Sequence, residues 1–219
     1  VFLLPAMAVL WLKGKYKLWH FLLFPVFYVL LVLPAVALGK PFLETLTLYA
    51  SQTGSIGDGL NYNSPSVYAF FQYDPNVTDL AAASRVGIIA AFVFMGAILI
   101  VCAIKRHELT NGVILAVSVL FAVGIPFLLP HMHDRYFFAA DVLTVVMAYA
   151  YVKYFAAAPL TQFASLLGYH AYLKMRYLLL MDHGARALIV VLMLCIVLFA
   201  QLLSAHGDTR TADTPIGIE

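Results

Sequence analysis

Apolar residues in this chain gather into long blocks. Seven runs are separated by polar stretches: Val1 to Leu12, His20 to Leu38, Ala81 to Ile104, Leu109 to Leu129, Phe137 to Phe155, Pro159 to about Leu173, and Ala187 to Ala205. The fuller runs hold about 18 to 24 residues, which matches the roughly 20 helical residues needed to cross a hydrocarbon core. Helices follow, because every backbone polar group in lipid must be satisfied within its own segment. The pattern predicts an all-α, polytopic transmembrane helix bundle over residues 1–205, with six full spans plus a truncated first one. Val1 to Leu12 is too short to span and reads as the end of a helix that begins earlier. Residues 206–219 are expected to form a short, disordered polar tail, and no internal repeat is visible.

Composition sharpens this picture. Of 219 residues 63% are hydrophobic and 11% charged, with a mean hydropathy of +0.92, against roughly 25% charged residues in soluble domains. No water-soluble fold of this size could hide so much apolar surface. The first run does not read as a secretory signal, which would have a basic segment before it and a small-residue cleavage site after it. The net charge of +2, with scattered basic residues, excludes a nucleic-acid partner. Cys102 and Cys195 both lie inside apolar runs, where a thiol behaves as a small hydrophobe.

The polar stretches set the topology. Lys13, Lys15 and Lys17, and again Lys105-Arg106, read as cytoplasmic loops under the positive-inside bias. The long polar stretch 40–80 is then an outer loop, and Pro130 to Tyr136 returns the chain to the outer face. Strict alternation places Lys174, Arg176 and Arg186 outside, against the bias. The sixth run, interrupted by Gln162, Ser165 and His170, is therefore either a shallow or re-entrant helix, or one whose basic residues face a lipid phosphate.

Three stretches could carry chemistry. In the first, Pro130 to Phe138, a helix starting near Pro130 would put His131, Asp134, Phe138 and Asp141 on one face and His131 next to Arg135. Asp141 would sit one turn inside the membrane, where an ionisable group faces a bundle interior or an aqueous cavity. Helix ends at an interface also gather charged and aromatic residues simply because headgroups and water are there. The density of this cluster, with an acid behind it, favours a polar vestibule. No metal is expected on His131 and His133, since ligands two apart do not share a helical face.

The second stretch runs through the outer loop, where Asp58, Asn61, Asn63 and Gln72 interleave with Tyr62, Tyr68 and Tyr73. Amides and carboxylates beside flat aromatic faces suit a sugar, although on composition alone an ordinary turn-rich loop explains them better. Its glycines are not a phosphate-binding loop, because no Lys-Ser/Thr follows. Asn76-Val77-Thr78 is formally an N-glycosylation acceptor. The third stretch, Tyr169 to Tyr177, is an interfacial anchor of aromatics and cations, or a clamp in which Lys174 and Arg176 hold a lipid phosphate.

The His131-Met-His133-Asp134-Arg135-Tyr136-Phe137 stretch resembles the His-x-His/Arg-Glu/Asp-Arg-Tyr-Phe motif of bacterial multi-spanning proteins related to the GPI mannosyltransferases and other GT-C glycosyltransferases. Asn61-Tyr-Asn-Ser-Pro65-Ser-Val-Tyr68-Ala is similar to the Leu-Asn-x-Pro-Asn-x-(Trp/Tyr)-Ala element of such proteins, with Ser66 where Asn is commoner. The resemblance covers about residues 20 to 155. It implies transfer of a sugar from a polyprenyl-phosphate carrier to a glycan or lipid acceptor on the non-cytoplasmic face of a bacterial plasma membrane. In that family the acidic catalytic residue, and any divalent metal it holds, lies in a first outer loop that would precede Val1, so this chain alone is expected to be inactive. Under the resemblance His131, His133, Asp134 and Arg135 are the catalytic candidates. Asp58, Asn61, Tyr62, Asn63, Tyr68, Tyr136 and Asp141 bind substrate, and Lys174 and Arg176 take the lipid phosphate. A transporter or flippase is the rival class, since intramembrane charges and proline-broken helices also mark substrate pathways. A non-catalytic membrane partner is the third.

Overall fold

A computed structural model describes residues 3–48, 59–71 and 79–212. Its elements are α1 (Leu4–Leu12), α2 (Leu23–Ala37, entered through a 3-10 turn at Leu18–Leu22), α3 (Phe42–Leu46), β1 (Asn61–Tyr62), α4 (Leu80–Ile104), α5 (Asn111–Leu128), β2 (Met132–His133), α6 (Phe138–Ala150), α7 (Ala157–Lys174) and α8 (Met181–Ala212). The architecture is all-α, as expected, with two-residue β1 and β2 as the extended exceptions among the described residues.

Four helices among the described residues are long and apolar enough to cross a membrane: Leu18–Ala37, Leu80–Ile104, Asn111–Leu128 and Met181–Ala205. They mark the chain as a membrane protein. The other three apolar runs give shorter or more polar helices. α1 has 9 residues and α6 has 13, the latter rising only about 20 Å at 1.5 Å per residue. α7 has 18 residues but carries Thr161, Gln162, Ser165 and His170. At the other end of the chain the helix runs through Ala212, past the predicted start of a polar tail at His206. No proline stops it there, and adding one residue to an existing helix costs far less than nucleating a new one.

The helix starts have local causes. Asp79 caps α4 by accepting from the Ala82 amide at 2.9 Å, and Thr110 caps α5 by accepting from the Val113 amide at 3.2 Å. Each supplies one of the orphan donors of a first turn with an acceptor.

α5 is the centre of the bundle. Val113, Ala116, Val117 and the whole stretch Val119 to Phe127 are buried, packed by α1, α4, α6 and α8. In contrast only 6% of the window in Leu18–Ala37 is buried by the rest of the described residues. Because lipid is as apolar as the side chains, packing and polar contacts hold such a bundle together. Gly124 lets α5 approach α4, since a Cβ there would collide with the Phe94 ring. Tyr154 donates to Gln201 Oε1 at 2.7 Å, tying the turn after α6 to α8.

The Gly124 contact is open to test. Gly124→Ala should lower the unfolding free energy in detergent by about 1–3 kcal/mol through overpacking, and Phe94→Ala in the same chain should recover part of that loss. An unchanged unfolding curve for Gly124→Ala alone would contradict this packing.

Candidate functional site

The segment after Pro130 does not begin a helix. Residues 132 and 133 are extended, Asp134–Phe137 form a 3-10 turn, and α6 starts only at Phe138. The predicted shared helical face of His131, Asp134, Phe138 and Asp141 is therefore absent. The reason is a long-range partner. Asn61 pairs in parallel with Met132 and Tyr62 with His133, and the His131 amide donates to the Leu60 carbonyl at 2.9 Å. Backbone groups that a helix would have used internally are spent on the segment 60–62.

Two non-glycine residues adopt left-handed backbone at this junction, His131 (φ 60°) and Asn63 (φ 56°). Asparagine tolerates that region well; a histidine there is uncommon and held by its surroundings. The His131 ring supplies the hold, with Nδ1 donating to the Gly59 carbonyl at 2.8 Å and Nε2 pairing with the Ser84 hydroxyl at 3.1 Å. Asn61 closes its own turn, donating from Nδ2 to the Ser64 carbonyl at 2.9 Å while its Oδ1 accepts from the Ser64 amide at 2.8 Å. Tyr68 is buried and donates to the Leu128 carbonyl at 3.3 Å, with its hydroxyl against Gly87. The Asp141 carboxylate accepts from Ser165 at 2.7 Å and Tyr169 at 3.5 Å, and its backbone carbonyl accepts from Gln162 at 3.0 Å. Of the predicted site residues, these four direct their polar groups to the fold.

Of the remainder, Tyr62, Asn63, His133, Asp134, Arg135 and Tyr136 converge. The His133 ring stacks on Tyr62 with centroids 4.9 Å apart and planes 17° apart, and Tyr136 stands edge-on to it at 5.9 Å. The Arg135 guanidinium lies 5.7 Å from the Tyr136 ring centroid. It is exposed and has no carboxylate in ion-pair range among the described residues. Asp134 is 6% exposed. Its Cβ lies where a side chain on Gly168 would have to go, since a Cβ there would stand 2.9 Å from it and 2.7 Å from the Asn63 carbonyl oxygen. α7 therefore seats directly under both loops. Three buried polar atoms in this wall, Ser64 Oγ, Ser66 Oγ and His133 Nε2, have no hydrogen-bond partner among the described residues. Such orphans are uncommon in folded proteins.

Tyr177, absent from the predicted site residues, belongs to the wall: its hydroxyl donates to Asn63 Oδ1 at 2.6 Å. The turn that carries it follows α7, which stops at Met175 in left-handed backbone (φ 51°). Lys174 and Arg176 are exposed in the same turn, which puts these two cations at the end of the bundle that holds His131 to Tyr136. The aromatic-basic composition of 169–177 was the signal; its partner, 114 positions away, was not visible. Asp58 lies outside the described residues. Among the described residues no group of three or more His, Cys, Asp or Glu side chains could hold a metal ion. In comparisons with known protein families, curated proteins and solved structures, the chain matched nothing.

Burial holds the His133 imidazole below its ordinary value of 6.5, with the Arg135 charge adding to the effect and Asp134 opposing it. The unfolded chain therefore takes up the proton first as pH falls, so stability present above about 6.5 is lost on acidification toward the folded value. The unfolding temperature of the solubilised protein should fall between neutral pH and about pH 5, and fall less in His133→Phe. Equal pH dependence of the two proteins would show that His133 is not held in this state.

Proposed function

We propose that this chain forms the phosphate-side wall of a membrane glycosyltransferase of GT-C type, mannosyltransferase-like, that moves a sugar from a polyprenyl-phosphate carrier on the non-cytoplasmic face of a bacterial plasma membrane. The observation that carries the reading is the β1–β2 pairing. It joins the two sequence elements on which the resemblance rests, 61–69 and 131–137, into one platform, although some 70 residues separate them.

The orientation follows from charge. Lys13, Lys15, Lys17, Lys105 and Arg106 lie at the opposite end of the bundle, which the positive-inside bias assigns to the cytoplasm. In this reading the chain crosses seven times. α6 with its flanking 3-10 turns and α7 supply two crossings beside the four long apolar helices, and α1 supplies the shortened first.

The reaction is displacement at an anomeric carbon. The acceptor oxygen forms its bond to the carbon, the bond from that carbon to the carrier phosphate breaks, and the phosphate leaves with the electron pair. A carboxylate takes the acceptor's proton. Arg135, with no carboxylate partner among the described residues and its guanidinium beside the Tyr136 ring, would stabilise the departing phosphate with paired N–H donors. The Tyr62–His133 stack offers a flat face for a sugar ring, and Asn63, fixed by Tyr177, borders it. Lys174 and Arg176 meet the carrier's phosphate at the headgroup level.

The test is transfer by the intact protein in proteoliposomes charged with polyprenyl-phosphate mannose. Arg135→Ala should lower kcat by about 100-fold or more, as loss of one donor to a developing charge does, while Lys174→Ala and Arg176→Ala should chiefly raise KM. Undiminished transfer by Arg135→Ala removes the central assignment. Movement of the lipid-linked sugar across the bilayer without transfer would favour a flippase.

A further inference from the structure

The opposite end of the bundle carries a second polar constellation, independent of the transfer reading. α1 ends in a left-handed turn at Gly14 (φ 77°). There the Gly14 amide donates to the Trp11 carbonyl at 2.8 Å and the Lys15 amide to the Leu10 carbonyl at 3.0 Å. This paired closure satisfies the last carbonyls of the helix and folds the chain back sharply. It sets Lys13 beside the α4–α5 turn, where Leu12, Lys13, Gly14, Arg106 and His107 line an open cavity of about 310 Å³.

The charges around that cavity are unbalanced. Glu108 pairs with Lys105 at 2.9 Å, and Lys15 donates to the neutral Asn111 Oδ1 at 2.8 Å. Lys13 and Arg106 have no carboxylate partner among the described residues. Arg106 donates through Nε to His107 Nε2 at 3.2 Å, which leaves its terminal N–H groups and the other ring nitrogen of His107 for a ligand. Two cations and an imidazole around one cavity with no acid lining it form a receptor for an anion, and a guanidinium beside an ammonium suits phosphate oxygens best.

Position narrows the source. Trp11 and Trp19, the two tryptophans of the chain, flank this turn and are 42% and 53% exposed, and tryptophan concentrates at the headgroup level of a bilayer. We propose that the cavity between the α1–α2 and α4–α5 turns binds a phosphate group, and that a phosphate-bearing anionic phospholipid of the leaflet on that side supplies it.

The test uses the full chain in nanodiscs and in delipidated detergent. Native mass spectrometry should show phosphatidylglycerol retained over phosphatidylcholine. Retention should fall roughly fivefold for each charge removed, about 25-fold in Lys13→Gln/Arg106→Gln, and persist in the charge-preserving Lys13→Arg/Arg106→Lys chain. Raising salt should weaken it. In a second arm, millimolar inorganic phosphate is added to the delipidated protein. Thermal protection of wild type but not of Lys13→Gln/Arg106→Gln would keep the phosphate site and assign it to free phosphate, whereas protection by the lipid alone assigns it to the headgroup. Equal retention of both lipids with no protection by phosphate, or lipid binding and phosphate protection unchanged in Lys13→Gln/Arg106→Gln, overturns the proposal.

Discussion

The His131 amide donates its hydrogen bond to Leu60, some seventy residues back in the chain, and the site end of the bundle is arranged around that choice. Once committed, the segment 131–133 is extended beside 60–62, and α6 cannot start before Phe138. The two loops must then turn sharply, which is why Asn63 and His131 hold positive φ. A strained residue costs of the order of 1–3 kcal/mol and persists only where its surroundings over-determine it. Here Gly59 and Ser84 fix the His131 ring, Tyr177 fixes Asn63, and the bare backbone of Gly168 admits both loops. The result is a short platform that brings the Tyr62, His133 and Tyr136 rings together beside the Arg135 guanidinium.

Inside the bundle a different economy operates. Lipid gives helices no hydrophobic reason to associate, so close packing and side-chain hydrogen bonds must do so. Asp141 shows this most clearly: it meets Ser165 and Tyr169 through its carboxylate and Gln162 through its backbone, binding α6 to α7. Its role in the site is to hold α7 in place, and α7 in turn supports Asp134 and Asn63 through Gly168. Polar residues that weaken α7 as a membrane span thus strengthen the wall above it.

The long helices were legible because a run of about 20 apolar residues has one physical meaning in a bilayer. α7 was half legible: its polar interruptions were visible, while their common partner on α6 was not. The stretch 131–137 misled, because its spacing of polar residues fits a helix and nothing local reveals that residue 60 competes for its backbone. Asn61, Tyr68 and His131 were read as ligand groups from the resemblance and their position, and the structure adds that each also donates to a nearby or distant backbone carbonyl. His133, Arg135 and Tyr136 were legible as a cluster, and the structure adds Tyr62 to it through the stack on His133.

The most direct measurement is disulfide trapping of the β1–β2 register in the intact protein with Cys102 and Cys195 replaced by Ala. Registered neighbours on adjacent strands stand about 4.8 Å apart, within the 4.4–6.8 Å that a disulfide spans. Tyr62→Cys with His133→Cys should cross-link readily under mild oxidation, and Tyr62→Cys with Asp134→Cys should lag far behind it. Faster closure of the second pair, or none by either, would contradict the platform on which the site is built.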